Sequence, residues 1–328
     1  MQQRTLGQDG LAVSAIGYGC MGLSGSYGEA QDTDSAAVLQ KIVDLGVTMF
    51  DTADVYGDGH NEELIGRALK GVRDQVVIAS KCGFVPLPDG TMTVNGNPDY
   101  IRSACDASLR RLGVDHIDLY YLHRVDPAVP VEDSVGAMAE LVKSGKVRHI
   151  GLSQTDTNTL RRGHAIYPIT ALQSEYSLWV REPEEDVVPV CNELGIGFVP
   201  FCPMGRGFLT RHIRSVENLA DDDLRLTVPR MNSDNMETNE PLLARLDELA
   251  AEKGNSPAQL VLAWLLHKGA HICPIPGSRR IEHMEENAAA ADVTLSDQEK
   301  AEMDHLFPIG SAAGSNRPTI VQTVEAGQ

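Results

Sequence analysis

Residues 16–22 read IGYGCMG, and Gly17, Gly19 and Gly22 stand at the spacing G-x-G-x-x-G. After a strand and at the start of a helix, that spacing marks an open, doubly wound dinucleotide-binding sheet, whose third glycine brings a helix N-terminus up to a pyrophosphate. The surrounding residues do not meet this requirement. Gly22 is followed by the polar loop LSGSYGEAQ (23–31), and helix signals begin only near Asp32 or Thr33. The acidic residue that such a unit needs about 20 residues further on is missing, because that window reads AAVLQ (36–40). The glycines read instead as a glycine-rich loop over the mouth of a different architecture.

Outward from this loop the chain alternates. Strand-like apolar runs occur at 15–19, 47–50, 76–80, 117–122, 148–152, 170–174, 197–201 and 271–275. Most are apolar on both faces, as in a covered parallel sheet. Helical patterns lie between them. Asn97-Pro98 opens one that Gly113 stops, and Leu39, Ile42 and Val43 mark one that ends at Gly46. Leu242 to Ala250 mark a third, Ser256-Pro257 opens a nearly all-apolar fourth, and Ser296 with Glu299 forms a capping box for the last. Eight strands alternating with helices predict an α/β fold of the (β/α)8 TIM-barrel type, which takes about 250 residues before insertions. The surplus falls in an N-terminal β-hairpin (3–14), turning at Asp9-Gly10, in the long segment 202–239, and in extra C-terminal helices and loops. No Pro/Ser/Gly linker divides the chain, so residues 1–328 are expected to form a single domain. An open doubly wound sheet is the alternative.

The formal net charge is −18, with 42% hydrophobic and 23% charged residues. A field of that sign repels phosphate backbones and anionic lipid, so nucleic acid and membranes are not expected partners. The six cysteines are scattered, with no C-x-x-C pair, and suggest neither a zinc site nor a disulfide framework. The N-terminal stretch has no apolar signal-type core and no run approaches membrane-spanning length, so the expected compartment is the cytoplasm.

The chemistry is written at the strand ends. The second run ends in Asp51, the third in Lys81, the fourth in His123 and the fifth in Ser153, while Tyr56 follows in the loop DTADVYGDGHNEE. In a barrel these positions meet at the C-terminal rim, where barrel enzymes work. Singly, each has an ordinary structural reading as turn residue, surface lysine, loop aromatic or core histidine; jointly they form a proton donor for a carbonyl. An ammonium beside a phenol is expected to pull down its pKa, ordinarily about 10. Asp51 pairs with Lys81, His123 orients the carbonyl oxygen, and Tyr56 protonates it as hydride reaches carbon. Hydride requires a nicotinamide or flavin. Two other readings are a nucleotide-binding regulatory or redox-sensor subunit with little turnover, and a lyase using Lys81 as a Schiff base, which Asp51 opposes by keeping the amine charged.

These residues, within DTADVYGDGHNEELIG (51–66), ASK (79–81), DLYYLHRVDP (118–127), KVRHIGLS (146–153), GFVPFCPMGRGFL (197–209) and IPGSRRIEHMEEN (275–287), give the chain its identity in outline: it resembles the aldo-keto reductase superfamily, most of all its bacterial and plant branch. The resemblance implies NADPH-dependent reduction of small-molecule aldehydes and ketones on a barrel, with Asp51, Tyr56, Lys81 and His123 as catalytic tetrad. It further implies that Ser153, Gln154 and Gln173 hold the nicotinamide carboxamide and that Phe201 stacks on the ring. Pro203, Met204, Gly205, Arg206, Gly207 and the residues up to Leu209 would wrap the pyrophosphate. Ser278 and Arg279 would hold the 2′-phosphate of NADPH/NADP+, with Glu286 and Asn287 near the adenine; no metal is implied. The small residues and cation of PMGRG, and the arginines Arg279-Arg280 opening a helix, suit an anion in their own right. The chain departs from the family pattern at Phe201-Cys202, at Gln154 and in the tail AGSNRPTIVQT (313–323). Tyr27, Phe84, Trp179 and Met231 are candidate pocket walls.

Overall fold

In the computed structural model, which describes residues 1–28, 31–87 and 91–319, the chain opens with the antiparallel hairpin β1 (Gln3–Leu6) and β2 (Leu11–Ser14). Seven parallel strands follow in one sheet: β3 (Tyr18–Gly19), β4 (Met49–Asp51), β5 (Val77–Cys82), β8 (Ile117–Leu122), β9 (Val147–Ser153), β10 (Ala171–Glu175) and β11 (Gly197–Phe201), each beside the next in that order. The ribbon β6 (Phe84–Pro86) and β7 (Met92–Val94) projects from the end of β5. Helices α1 (Asp32–Asp44), α2 (His60–Leu69), α3 (Pro98–Leu112), α4 (Val131–Lys143), α5 (Thr157–Ile166) and α6 (Val187–Leu194) alternate with the strands. After the last strand come α7 (Ser233–Lys253), α8 (Pro257–His267), α9 (Ile281–Ala289) and α10 (Asp297–Leu306).

Eight parallel strands were expected and seven are formed among the described residues, and the reason is chemical. Segment 271–275 occupies the eighth place: the amides of Cys273 and Ile275 donate to the carbonyls of Phe198 and Pro200 at 2.9 and 3.0 Å. On its other side, Gly17 and Gly19 donate to the carbonyls of Pro274 and Pro276 at 2.9 and 3.1 Å. Pro274 and Pro276 have no N–H to return, so half of that ladder is missing and the seam closes without a regular strand. The opening glycines belong to this seam. A Cβ on Gly17 would lie 2.9 Å from the Ile275 side chain, and one on Gly19 would lie 2.8 Å from the Ile275 carbonyl oxygen. The G-x-G spacing therefore serves close backbone approach at barrel closure.

Strand parity places the functional residues. One core cluster fills the barrel interior and contains Met49, Ala79, Leu119, Tyr121, Ala171, Val199 and Cys273, with Leu6, Leu11 and Val13 of the hairpin. The larger cluster, with Phe50, Ile78, Tyr120, Leu122, Leu172 and Phe198, lies between sheet and helices. Because side chains alternate along a strand, Asp51 follows Met49 inward, Lys81 follows Ala79, His123 follows Tyr121 and Gln173 follows Ala171. Gly151 also points inward: a Cβ there would meet the Tyr121 ring at 2.4 Å, so only glycine leaves room for that tyrosine.

The helix punctuation is largely as the sequence suggests. Asn97 accepts from the Asp99 amide at 2.9 Å and Gly113 adopts φ +65° after α3. Ser256 and Ser296 form full capping boxes with Gln259 and Glu299. The helix expected around Leu242 starts earlier, capped by Asn232, and runs through Pro241. The carbonyl that loses its donor there belongs to Glu237, and both residues are exposed to solvent. Among the described residues no helix is long and apolar enough to cross a membrane, and no cluster of potential metal ligands occurs. The end of the expected tail, residues 320–323, and Glu29-Ala30 of the first loop lie outside the described residues.

Candidate active site

At the C-terminal rim the Lys81 ammonium lies at the centre of a buried polar cluster. Nζ donates to Asp51 Oδ1 at 2.5 Å, to the Thr52 carbonyl at 2.7 Å and to the Tyr56 hydroxyl at 3.2 Å. Gln173 Nε2 donates to the other Asp51 oxygen at 2.7 Å. Lys81 is 0% exposed and Asp51 2%, so the pair exists only because three acceptors surround the ammonium. Burial works against the charge on Lys81, but Asp51 and Tyr56 outweigh it and hold its pKa above the ordinary lysine value. A fixed ammonium on this lysine is unsuited to Schiff-base chemistry.

Tyr56 stands on the turn between β4 and α2, where Gly57 (φ +58°), Asp58 (φ +53°) and Gly59 (φ +87°) bend the chain back. Its ring meets the His123 imidazole edge-on, with centroids 6.0 Å apart, and Phe84 packs on the other side of His123 at 4.7 Å. Burial, then Lys81 and Arg124, push the His123 pKa well below the usual imidazole value, so the ring is neutral near pH 7. Its Nδ1 is buried without a hydrogen-bond partner among the described residues.

One sequence expectation is overturned here. Lys81 does lower the Tyr56 pKa, but burial raises it more, and the net shift is upward. The hydroxyl therefore stays protonated through the neutral range.

The remaining predicted residues are distributed around the rim. Ser153 Oγ accepts from Arg124 at 3.4 Å, and Gln154, in a left-handed conformation (φ +49°), accepts from Ser174 Oγ at 2.8 Å. Phe201 ends β11, half-buried against the interior cluster. Beyond it, Pro203 is buried, Met204 half-buried, and Gly205, Arg206 and Gly207 all have positive φ. The Arg206 guanidinium turns inward and forms a buried two-point ion pair with Glu175, at 2.9 and 3.2 Å. Cys202 is held as a thiol, burial pushing it up to about 11.

Ser278 and Arg279 lie just before α9. The Ser278 carbonyl accepts from Tyr18 at 2.9 Å and its Oγ meets His283 Nδ1 at 3.1 Å. Arg279 donates to the carbonyls of Tyr27 and Gly28 at 2.9 and 3.1 Å, tying the first loop to the α9 end of the rim. Glu286 is half-buried and Asn287 buried on α9. Of the candidate walls, Phe84 adjoins His123. Trp179 and Met231 instead line a cavity of about 10 Å³ beside Glu175 and Arg206, room for one water at most. Trp179 stacks on Phe208 at 4.4 Å, and the Tyr27 ring lies under Arg225.

Sequence reading did not anticipate the Thr52 carbonyl, Arg124 beside His123, or Glu175 as partner of Arg206. Parity along β10 was the available signal for Glu175, since it points inward two residues after Gln173.

A protonated tyrosine, a fixed ammonium and a neutral imidazole thus lie together at the mouth of a parallel barrel. Comparison with known proteins gives the family. Residues 15–307 match the model of the aldo/keto reductase family. The chain is 45% identical over 316 residues to the probable aldo-keto reductase 1 of Glycine max, covering 96% of this chain and 91% of that one. Among solved structures it is similar to a glycerol dehydrogenase from Gluconobacter oxydans, with TM-score 0.84, 25% identity and coverage of 93% and 94% of the two chains. It is also similar to an aldo-keto reductase from Klebsiella pneumoniae in complex with NADPH, with TM-score 0.73, 31% identity and coverage of 94% and 96%. The chain belongs to the aldo/keto reductase family.

Proposed function

We propose that the protein is a cytoplasmic, single-domain reductase that takes hydride from NADPH and converts small aldehydes or ketones to alcohols, with Tyr56 as proton donor. The observation that carries this reading is the 3.2 Å bond from a buried, Asp51-paired Lys81 to the Tyr56 hydroxyl, with the neutral His123 ring beside it. The cofactor, when bound, would supply hydride to the carbonyl carbon. Tyr56 gives its proton to the carbonyl oxygen, Lys81 stabilises the charge left on the phenol oxygen, and His123 directs the carbonyl oxygen toward that hydroxyl.

The residues at the rim fit the dinucleotide. His123 presents a buried nitrogen with no partner among the described residues. Gln154 and residues 205–207 adopt the left-handed backbone conformation beyond the ends of their strands. Ser153, Gln154 and Gln173 would hold the carboxamide, Phe201 the ring, Pro203 to Gly207 the pyrophosphate, Ser278 and Arg279 the 2′-phosphate, and Glu286 and Asn287 the adenine. In this reading Arg279 is the cation for the 2′-phosphate, while the Arg206 charge is paired with Glu175. Replacing Arg279 with alanine is expected to weaken NADPH binding about tenfold to a hundredfold and NADH binding about twofold, the worth of one charge-assisted hydrogen bond. Fluorescence titration of both nucleotides measures this; equal losses would contradict the assignment.

The function itself is tested by following NADPH consumption over aromatic aldehydes, dicarbonyls, sugars and pyridoxal. Turnover on this panel is the expected result. Tight NADPH binding with negligible turnover throughout would favour the sensor reading.

A further inference from the structure

Beneath the turn that carries Tyr56 lies a carboxyl group that the mechanism above does not use. The Asp54 amide donates to the Lys81 carbonyl at 3.1 Å, which ties this residue to β5. Its Oδ1 is buried without a partner among the described residues, while the carboxyl group meets the Val55 amide and the Tyr100 hydroxyl from α3. Glu62 of α2, Arg111 of α3 and Cys82 of β5 face it, with the Tyr120 hydroxyl of β8 behind Cys82, and the Lys81 charge acts on it from the opposite face of β5. Glu62 is 0% exposed and already holds Arg111 through contacts of 2.7 and 2.6 Å. It also accepts from Ser80 Oγ at 2.5 Å. Two carboxyl groups thus share one arginine, and Glu62 has it. A buried carboxyl oxygen with no donor is costly when charged and tolerable when neutral.

We propose that Asp54 is a positioning residue for Lys81 and Tyr56: neutral, it leaves the ammonium to Asp51 and the tyrosine; ionised, it places a second negative charge behind that ammonium and weakens its hold on the phenol oxygen. The inference rests on the reading of Tyr56 as proton donor. Burial first, then Glu62, pushes the Asp54 carboxyl up to about 7, which brings the change into the physiological range.

The sign follows from linkage. A carboxyl raised in the folded protein from an unfolded value of about 3.9 holds its proton longer when folded, so wild-type stability falls as pH rises between those values. Asparagine at this position is permanently neutral and escapes that fall. In thermal melts, Asp54→Asn is expected to gain Tm relative to wild type on going from about pH 5 to about pH 8. In single-turnover reduction by NADPH, the wild-type rate is expected to drop about threefold across that step, equivalent to about half a pKa unit on the tyrosine. Asp54→Asn should stay at the wild type's acid-side rate. A melting difference that does not change with pH, or rate profiles that run parallel, would overturn the inference. If Asp54→Asn does not fold, Tyr100→Phe removes one donor to the carboxyl group and leaves the other, the Val55 amide. The rate step should then move to higher pH, and an unmoved step would be the contrary result. Loss of all carbonyl reduction with the pH-dependent melting difference intact would count against the proposed function and not against the ionisation of Asp54.

Discussion

Replacing Tyr56 with phenylalanine is expected to lower the rate of carbonyl reduction by about 10²–10⁴, the usual worth of a positioned general acid, while leaving NADPH affinity nearly unchanged. Only the hydroxyl is lost. The ring keeps its edge-on contact with His123, and Lys81 keeps Asp51 and the Thr52 carbonyl as acceptors. No other group in the cluster is a good substitute donor. His123 is neutral and Lys81 is held charged by Asp51. The net upward shift at Tyr56 means that the wild-type phenol is protonated wherever the protein is folded near neutrality. The alkaline limb of the rate profile is therefore expected above the ordinary phenol range, not within it. Steady-state rates together with a fluorescence binding titration separate the two effects; a variant with full activity would remove Tyr56 from the mechanism.

The second large effect is expected at Lys81. Lys81→Met removes the ammonium from a buried pair and strands Asp51, which retains only the Gln173 amide. Breaking such a pair from one side costs about 3–5 kcal/mol, and reduction should be lost as well, because nothing then stabilises the phenol oxygen. Adding Asp51→Asn to this variant should restore much of the stability and none of the activity, since the uncompensated charge is gone but the ammonium is still absent. Denaturant melts of the single and double variants measure this. A Lys81→Met protein as stable as wild type would show that the charge pair is not formed as described.

Much of the site was legible in the sequence because a parallel barrel turns strand order into spatial order. Residues at successive strand ends, Asp51, Lys81 and His123, must face one rim, and the alternation of Met49, Ala79 and Tyr121 sends them inward. The opening glycines were legible only as a failed dinucleotide motif. Their positive role, a seam against Ile275, depends on a segment about 260 residues away that local patterning does not reveal. The eighth strand was legible in its hydrophobicity but not in its hydrogen bonds, since Pro274 and Pro276 break one side of the ladder. The ribbon β6–β7 went unrecognised although Asp89-Gly90 between FVP and TMTV is a turn signal. What the chain could not disclose was magnitude. Adjacency of Lys81 to Tyr56 was foreseeable, whereas the dominance of burial over that ammonium depends on how many groups close over the hydroxyl. The pairing of Arg206 with Glu175 was hidden for a similar reason, because the backbone at 205–207 reverses through left-handed turns that send the guanidinium inward.

The most direct test of the account is hydride tracing. The protein is mixed with NADPH deuterated at the transferring position and an aldehyde from the panel, for wild type and Tyr56→Phe alike. The account predicts deuterium on the carbinol carbon of the wild-type product, and almost none formed over the same interval by the variant. A product without deuterium, or equal labelling by both proteins, would contradict it.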